Sequence, residues 1–440
     1  MKGSTLTSVV QAIFNRDLLR QAALRRGAME RERKVKVLDF VLALVSAGAV
    51  GPERSIAAVR RAWEMLASET IAPKSFDAHF NPGMVRLLWE LIHDLMAPSN
   101  RALRRQWPAP LRDLYDVLII DGTHMAVDAG LSDVLRDTTP GKSALKLIGV
   151  LSLGEGHLTD VRAGAAVHHD RKLLRLGTLM RGALYLLDLG FYDHSLFAAY
   201  DDAGSFFVSR RKSNVTPWFD FNFTDPEGNE LQCGLPVDAL ASSPLLDVDA
   251  RLILRDGAHP STRVFRVIKL EVPVTDRHDR PTGKVQAFWY ITNLPRETWT
   301  AAMIVAAYRL RWAIERIWRE TKHFARLDQL RSQRPVVLFI FVAASLLFLL
   351  LAECAVRDQI EIRGVGGVSR DRVMATLVAA WPDIARNLHD DEGDITACLA
   401  HLARVLAVEG RHPNPGQPRR ITTVFATLEA EARRLTQEAA

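Results

Sequence analysis

Two short aliphatic runs in the chain each end at an aspartate that a glycine soon follows. The run VLII leads into Asp121 and Gly122, and the run YLL leads into Asp188, with Gly190 two residues further on. Short apolar runs of this kind are typical of strands buried on both faces of a sheet, and the glycines indicate that a loop opens there. We therefore expect both carboxylates at the ends of buried strands, where α/β sheets build their sites.

The hydrophobic period changes several times along the 440 residues. Helical spacing predominates before residue 113, short aliphatic runs alternate with helical spacing up to 210, β-like runs follow up to 300, and helical spacing then returns. This order predicts a mixed α/β fold with a helix in DRKLLRLGTLMRGA, which begins at Asp170. The predicted units are an N-terminal helical domain (1–112), the first part of a catalytic core (113–210), a β-rich insertion (211–300), the second part of the core (301–356) and a C-terminal helical region with a basic loop (357–440).

One stretch, from Val336 to Ala352, is apolar except for Ser345. It falls short of the roughly 20 residues that a membrane-spanning helix needs. In a chain otherwise patterned like a water-soluble protein, a helix buried in a large core is the commoner explanation, and we expect no membrane association.

Charge and cysteine content indicate the kind of partner and the cellular compartment that suit this chain. The formal net charge is only +6, but nine basic residues and three acidic ones lie between Met1 and Lys36, which favours nucleic acid as a partner without establishing it. Cys233, Cys354 and Cys398 are too far apart for a CxxC site, and their odd number argues against a disulfide scaffold, so a reducing compartment fits best. The N-terminus lacks the pattern of a secretory signal.

The segment YRLRWAIERIWRETK, which begins at Tyr308, has helical spacing. At about 100° per residue, Tyr308, Arg311, Glu315 and Lys322 fall on one narrow stripe, whereas Glu320 falls away from it. A structural helix would use Arg311 and Glu315 only as an i, i+4 ion pair, worth about a few tenths of a kcal/mol. The two strand-end aspartates make a functional stripe the better interpretation, whereas Asp128 and Asp193 are interpreted as ordinary turn caps.

Three carboxylates suit Mg²⁺ or Mn²⁺, because these ions take oxygen ligands. Zinc is disfavoured, since the adjacent His168 and His169 have poor ligand geometry. Two such ions about 4 Å apart could activate an attacking water or hydroxyl and stabilise the leaving oxygen of a phosphodiester. ATP binding is not expected, because Arg136 stands where the nucleotide loop that TPGKS superficially suggests would need its first glycine, and Gly141 to Ser143 is interpreted as a turn.

With these residues in place, the sequence resembles the DDE transposases of bacterial insertion sequences, in the group with a Tyr-x2-Arg-x3-Glu-x6-Lys signature. Tyr308, Arg311, Glu315 and Lys322 match that spacing without a gap. IIDGT at 119–123 and LLDLGFYD at 186–193 are similar to the two aspartate motifs, and FFVSRRK and ITNLP flank the insertion as in the family. The similarity covers roughly residues 115 to 335.

The resemblance implies an RNase H-like catalytic core interrupted by the β-rich insertion. By this resemblance Asp121, Asp188 and Glu315 would be catalytic and would bind the metals. The DNA contacts would be Tyr308, Arg311, Lys322 and Arg210, with an aromatic residue late in the insertion stacking on a flipped base. That aromatic is Phe288 or Trp289 in FWY at 288–290, and we take Trp289 as the candidate.

The function implied is cut-and-paste transposition by a cytoplasmic, nucleoid-associated enzyme. Its partners would be transposon ends with inverted repeats, bound by the N-terminal domain, and target DNA, with two protomers pairing the ends. Whether cleavage proceeds through a hairpin stays open. The alternatives are a metal-dependent nuclease on the same fold that does not join DNA, and a DNA-binding protein that no longer cuts.

Overall fold

The computed structural model presents a mixed α/β architecture in which helices from both ends of the chain pack together beside one large sheet. Cys233 and residues 415–419 of the basic loop lie outside the described residues. The structure describes residues 5–97, 101–174, 179–212, 218–219, 223–224, 230–231, 236–237, 245–254, 261–275, 281–326, 329–330, 332–414 and 420–438.

The N-terminal region is helical. Asn15, Ser55 and Asn81 begin three of its helices with side chains that accept hydrogen bonds from backbone N–H groups of the first turn. A π-helical turn, Ser46–Val50, extends the third helix. The helices are α1 (Thr5–Ile13), α2 (Arg16–Arg26), α3 (Val37–Val45), α4 (Ile56–Ala67), α5 (Pro73–Asp77), α6 (Pro82–Leu95) and α7 (Ala109–Arg112).

Nine strands form one continuous sheet among the described residues, in the order β3-β2-β1-β4-β5-β11-β10-β9-β6. The strands β1, β4 and β5 are mutually parallel, and the other pairings are antiparallel. The strands are β1 (Val117–Val127), β2 (Ser143–Ser152), β3 (His157–Ala165), β4 (Leu184–Leu187), β5 (Phe206–Arg210), β6 (Trp218–Phe219), β7 (Phe223–Thr224), β8 (Glu230–Leu231), β9 (Leu245–Leu254), β10 (Ser261–Thr275) and β11 (Pro281–Thr292). The strands β7 and β8 pair only with each other.

Strands are present among the described residues of the β-like runs between 211 and 300, and β6, β9, β10 and β11 extend the core sheet. The strand β11 pairs with β5 through Tyr290 and Arg210, so the inserted strands continue the sheet edge to edge. The helix expected from Asp170 is much shorter than its apolar spacing suggests, because α8 (Asp170–Leu173) ends after four residues and residues 179–183 are not helical. The helix α9 (His194–Asp202) connects β4 to β5.

The two faces of the sheet carry separate cores. Alternate residues point to opposite faces of a strand. We call the face that carries Val117, Ile119, Leu184, Leu186 and Val208 the inner face; it shares one buried cluster with the flanking helices. The outer face carries Leu118, Ile120, Tyr185, Leu187 and Phe207 and is covered by side chains of α9 and of the inserted strands.

The C-terminal helices are built around α12, the long apolar helix. By length and composition this helix could cross a membrane, but 83% of its most apolar window is buried inside the protein. Its apolar side chains are therefore covered by α1, α3, α6, α11 and α13, as expected for a core helix. The helices are α10 (Ala301–Tyr308), α11 (Trp312–Ala325), α12 (Pro335–Arg363), α13 (Arg370–His389), α14 (Ile395–Glu409) and α15 (Arg420–Glu438).

A buried charge cluster ties three of these helices together. Arg370 at the start of α13 donates hydrogen bonds to Glu353 of α12, at 2.9 Å, and to Glu320 of α11, at 2.9 Å. The Glu353 side chain is fully buried, and burial raises the pKa of its carboxyl although Arg370 opposes that rise. One guanidinium therefore compensates two carboxylates in the protein interior.

Replacement of Arg370 by Met should strongly destabilise the chain. It would leave Glu320 and Glu353 buried without their cation, which costs about 3–5 kcal/mol when a buried pair is broken from one side. The loss, measured as the midpoint of urea unfolding at neutral pH, should shrink at about pH 5, because a protonated Glu353 needs no cation.

The control is Arg372→Met in the same helix. Arg372 pairs with Glu409 at 2.7 Å, but both side chains are largely exposed, so the change should cost less than about 1 kcal/mol. Equal losses for the two variants would contradict a special role for the buried cluster.

Candidate active site

Asp121 and Asp188 occupy equivalent positions on two neighbouring parallel strands. The last registered pair between β1 and β4 is Ile120 with Leu187, and each aspartate directly follows that pair. Adjacent strands lie about 4.8 Å apart, so the register brings the two carboxylates side by side. The prediction that both stand where a buried strand opens is confirmed for Asp188, whereas Asp121 lies inside β1, whose far half pairs only with β2 among the described strands.

Both aspartates point to the inner face. Each lies two residues after an inner-face residue, Ile119 and Leu186, and side chains two apart on a strand share a face. The helix α11 packs on this same face of β1. Glu315, in the first turn of α11, is thereby brought to the two aspartates.

A single guanidinium stands among the three carboxylates. Arg311 Nη2 donates to Glu315 Oε1 at 2.7 Å, and Arg311 Nη1 lies 3.6 Å from Asp121 Oδ2 and 3.8 Å from Asp188 Oδ1. The i, i+4 pair of Arg311 and Glu315 that a purely structural helix would show is therefore present. Arg311 also reaches both aspartates, so the stripe of the helix and the two neighbouring strands form one site.

The three acids differ in exposure. The side chain of Asp121 is 11% exposed, whereas those of Asp188 and Glu315 are 38% and 33% exposed. Burial raises the pKa of Asp121 to about 7; Arg311 opposes that rise, and the nearby charges of Asp188 and Glu315 add to it. The site is closed on the Asp121 side and open to solvent on the side of the other two acids.

Tyr308 supports the strand end from beneath. Its hydroxyl donates to the carbonyl oxygen of Leu187 at 3.0 Å, immediately before Asp188, and its ring contacts Tyr290 edge to face at 5.1 Å. Burial raises the pKa of the Tyr308 hydroxyl. The hydroxyl thus fixes the backbone that carries Asp188.

The segment from Tyr308 to Lys322 is not one regular helix, in contrast to the prediction. A 3-10 turn, Arg309–Arg311, separates α10 from α11. Arg311 nevertheless lies beside Tyr308, with its guanidinium carbon 5.9 Å from the ring centroid, because residues three apart also align in a 3-10 turn. Glu320 points away from the site to Arg370, as the spacing predicts.

Lys322 lies on α11 seven residues after Glu315, on the same side of the helix and about 10 Å along it. Its side chain is exposed, and no partner for its ammonium is found within the described part of the chain. Lys322 is therefore near the three acids without touching them.

Arg210 and the two aromatic candidates are placed by the same register. Arg210 follows the pair of Leu187 and Ser209, so it stands in the row of Asp121 and Asp188. It pairs across the strands with Tyr290.

Phe288, two residues before Tyr290 on β11, shares the inner face with Arg210, whose guanidinium carbon lies 5.6 Å from its ring. Trp289 points to the outer face, where Arg211 lies 4.3 Å and Lys269 lies 6.0 Å from its ring. The structure brings Phe288, and not Trp289, to the face of the acids. Sequence reasoning did not separate the two, because adjacent residues in a strand are told apart only by its register.

Asp170 is a nearby residue that sequence reasoning missed. It accepts a hydrogen bond from Lys146 at 2.7 Å, and Lys146 also donates to the carbonyl of His168. The carboxylate packs against Gly190, just after Asp188, where any side chain would collide with it. Asp170 thereby supports the loop after Asp188 from the outer face; an isolated acid after two histidines offered no sequence signal for this role.

The remaining turn predictions are confirmed. Asp128 accepts a hydrogen bond from the N–H of Gly130 at 2.9 Å, and Asp193 caps α9 through the N–H of Leu196 at 3.0 Å. Gly141 has a positive φ of 74° in the turn before β2. None of these residues contributes to the site.

The donor set fits a hard divalent cation. Three carboxylates of three different elements face one point, and a positively charged group already stands there. As they lie, no three Asp, Glu, His or Cys side chains in the described ranges close into a coordination shell. The acids approach Arg311 rather than one another, so the residues suit the ion but the arrangement holds a guanidinium in its place.

The sequence is similar to one family model and to several known proteins. Residues 112–351 match the family model described as "Transposase DDE domain". The transposase for insertion sequence element IS1151 of Clostridium perfringens is 20% identical over 389 aligned residues, which cover 80% of this chain and 80% of that protein. The transposase for insertion sequence element IS421 of Escherichia coli is 30% identical over 71 residues, or 16% of this chain and 19% of that protein.

Among solved structures, the chain is similar to the piggyBac transposase in a synaptic complex with hairpin DNA. The TM-score is 0.46 at 12% sequence identity, and the match covers 95% of this chain and 87% of that one.

Asp121→Asn should stabilise the metal-free chain at high pH. The folded pKa of about 7 lies above the ordinary 3.8, so the folded chain holds an extra proton between these values and wild-type stability falls as pH rises through this window. Asn does not ionise, so its advantage in Tm, measured with EDTA, should grow from about pH 5 to about pH 8 to at least about 2 °C.

The control is Asp133→Asn, which changes an exposed carboxylate and should shift Tm equally at both pH values. A pH-independent difference between Asp121→Asn and wild type would contradict the raised pKa.

Proposed function

The chain belongs to the family of proteins with a transposase DDE domain, and from this premise we propose that it performs cut-and-paste DNA transposition. It hydrolyses phosphodiester bonds at the ends of an insertion sequence and joins the freed 3′ hydroxyls to target DNA. The observation that carries this proposal is the convergence of Asp121, Asp188 and Glu315 on one cation, the Arg311 guanidinium, where α11 packs on β1 next to β4.

Asp121, Asp188 and Glu315 would hold the divalent ions, two Mg²⁺ or two Mn²⁺. When bound, such ions supply the charge that activates an attacking water or hydroxyl and stabilises the leaving oxygen. The chain's own contribution is to fix the acids: Tyr308 and Asp170 support the backbone around Asp188, and β1 carries Asp121. The partial exposure of Asp188 and Glu315 supports approach of the DNA from their side.

The DNA phosphates are held by basic side chains around the acids. Arg210 stands in the row of the aspartates, and its guanidinium has no hydrogen-bond partner among the residues that the structure describes. Lys322 is exposed and lies about two helical turns beyond Glu315. Groups of this kind, charged and available, supply affinity for a phosphate backbone.

The basic N-terminal helices recognise the inverted repeats, and two protomers pair the transposon ends and capture target DNA. The enzyme works in the cytoplasm on the nucleoid. A metal-dependent nuclease with the same acids is the rival function, and it differs in one product, since it would not insert a supplied 3′ hydroxyl end into a plasmid.

Replacement of Glu315 by Gln should abolish cleavage and joining. Gln keeps the shape but removes a charge that the metal sites need, so we expect at least about a 100-fold loss of rate, as for removal of one strong transition-state contact. The assay incubates the DNA that flanks the gene with purified protein and Mg²⁺, Mn²⁺ or EDTA, and measures nicked and plasmid-joined products.

Glu297→Gln is the matched control, because Glu297 is an exposed acid just before α10 and should keep full activity. Cleavage by the Glu315 variant at the wild-type rate would refute the three-acid assignment. Metal-dependent cleavage without joining would favour the rival function, a nuclease that does not join DNA.

The aromatic residue that stacks on a flipped base is Phe288 rather than Trp289. Phe288 is supported by its place on the inner face beside Arg210. Trp289 is also partly exposed but points to the outer face, where its ring lies beside Arg211 and Lys269.

Phe288→Ala should therefore weaken binding of a cleaved transposon end by about tenfold, because stacking on an aromatic is worth about 1–3 kcal/mol per base. Binding and the fluorescence of 2-aminopurine at the terminal base would be measured together. Trp289→Ala should instead lower Tm and leave the fluorescence of bound DNA unchanged; the reverse result would restore Trp289 as the stacking residue.

A further inference from the structure

Arg311 makes its polar contacts with the acids of the site alone, as far as the described residues show. Its guanidinium meets Glu315 at 2.7 Å, Asp121 at 3.6 Å and Asp188 at 3.8 Å. The two aspartate distances lie within ion-pair range but are longer than hydrogen bonds. The guanidinium is therefore held mainly by the charge of the three acids together and is not fixed by a network of hydrogen bonds.

One positive charge faces three carboxyl groups. The guanidinium stands at their common point, so a divalent cation and Arg311 would compete for the same negative charge. Two cationic groups held by the same acids repel each other, and the repulsion is strong where water is partly excluded. Full occupancy by a metal therefore requires the guanidinium to leave.

The Arg311 guanidinium can move from the acids toward solvent. Its side chain is 18% exposed, and the neighbouring Asp188 and Glu315 are the more open acids of the site. Arg311 is the last residue of the 3-10 turn and has a long, flexible side chain. Rotation about its side-chain bonds would carry the guanidinium toward solvent, on the side of Asp188 and Glu315 from which DNA is proposed to approach. A phosphate diester is the partner that a planar guanidinium binds well there.

We propose that Arg311 is an internal counter-cation that occupies the metal site of the DNA-free protein, and that a DNA phosphate draws it away as the metals bind. The inference rests on the proposed function. It makes metal and DNA binding mutually reinforcing, since each ligand favours the displaced position of the same side chain. The acids are thereby kept neutralised until substrate is present.

If Arg311 instead helped to bind the metal, removal of its guanidinium would change metal affinity in the opposite direction. If the guanidinium merely organises the acids for the metal, its removal should weaken metal binding. If it competes, its removal should strengthen metal binding.

The experiment measures Mn²⁺ affinity of the full chain without DNA, by electron paramagnetic resonance of free Mn²⁺ at fixed ionic strength. Arg311→Gln should bind Mn²⁺ about tenfold more tightly than wild type, within the 5- to 150-fold range of ordinary coupling. Arg311→Lys, which keeps the charge, should stay close to wild type. Arg309→Gln removes an exposed charge from the same turn and should also stay close to wild type.

A second measurement titrates the wild type and needs Arg311→Lys only for assignment, in case the Gln variant does not fold. In NMR spectra of arginine Nε–Hε groups, the Arg311 signal, assigned with Arg311→Lys, should shift as Mg²⁺ is added, whereas that of the buried Arg370 should not. Equal or weaker Mn²⁺ binding by folded Arg311→Gln, or an unmoved Arg311 signal at saturating Mg²⁺, would overturn the inference.

The failure of the inference differs from that of the proposed function. If Arg311→Gln and wild type bind Mn²⁺ equally while Glu315→Gln binds none, the inference is wrong and the metal site stands. If Glu315→Gln binds Mn²⁺ as wild type does, or no variant binds Mn²⁺, both are wrong.

Discussion

The site depends on the register of three parallel strands. Because Ile120 pairs with Leu187, Asp121 and Asp188 become neighbours although they are distant in sequence. A slip of one residue would turn one aspartate to the other face of the sheet. The slip is opposed by burial on both faces, since Ile119 and Leu186 belong to the inner core and Ile120 and Leu187 to the outer one. The register that places the two aspartates is thus maintained by apolar packing rather than by the acids, which repel one another.

The third acid needs a helix held at a defined height over the sheet. Gly149 on β2 is paired with Asp121, and a Cβ atom at this position would lie only 2.7 Å from the ring of Trp318. The missing side chain lets Trp318 pack directly on the strand, one helical turn beyond Glu315. At the far side of the same helix, Glu320 is bound by Arg370. The position of Glu315 is therefore set by two contacts of α11, the packing of Trp318 on Gly149 and the ion pair of Glu320 with Arg370.

The sequence indicated which acids come together but not their surroundings. Spacing within one segment selected Glu315 over Glu320, and an aspartate that follows a buried aliphatic run is a local signal, although Asp121 lies inside β1 rather than at its end. The choice between Phe288 and Trp289 required the register of β11 against β5. The cluster of Arg370, Glu320 and Glu353 joins residues far apart along the chain, and no local pattern reports such a contact. The predicted continuous helix failed because a period of 3.6 also accommodates a short 3-10 turn.

The apolar helix that resembles a membrane span has a place in this arrangement. Glu353 lies within α12, fully buried, and would be costly there without a cation. Arg370 meets that need and binds Glu320 of α11 with the same guanidinium. The charge at the end of the apolar stretch therefore links the core helix to α11, and through α11 to Glu315. Burial of α12 among helices from both ends of the chain makes the position of Glu315 depend on regions far outside the sheet, so the helical flanks support the candidate site.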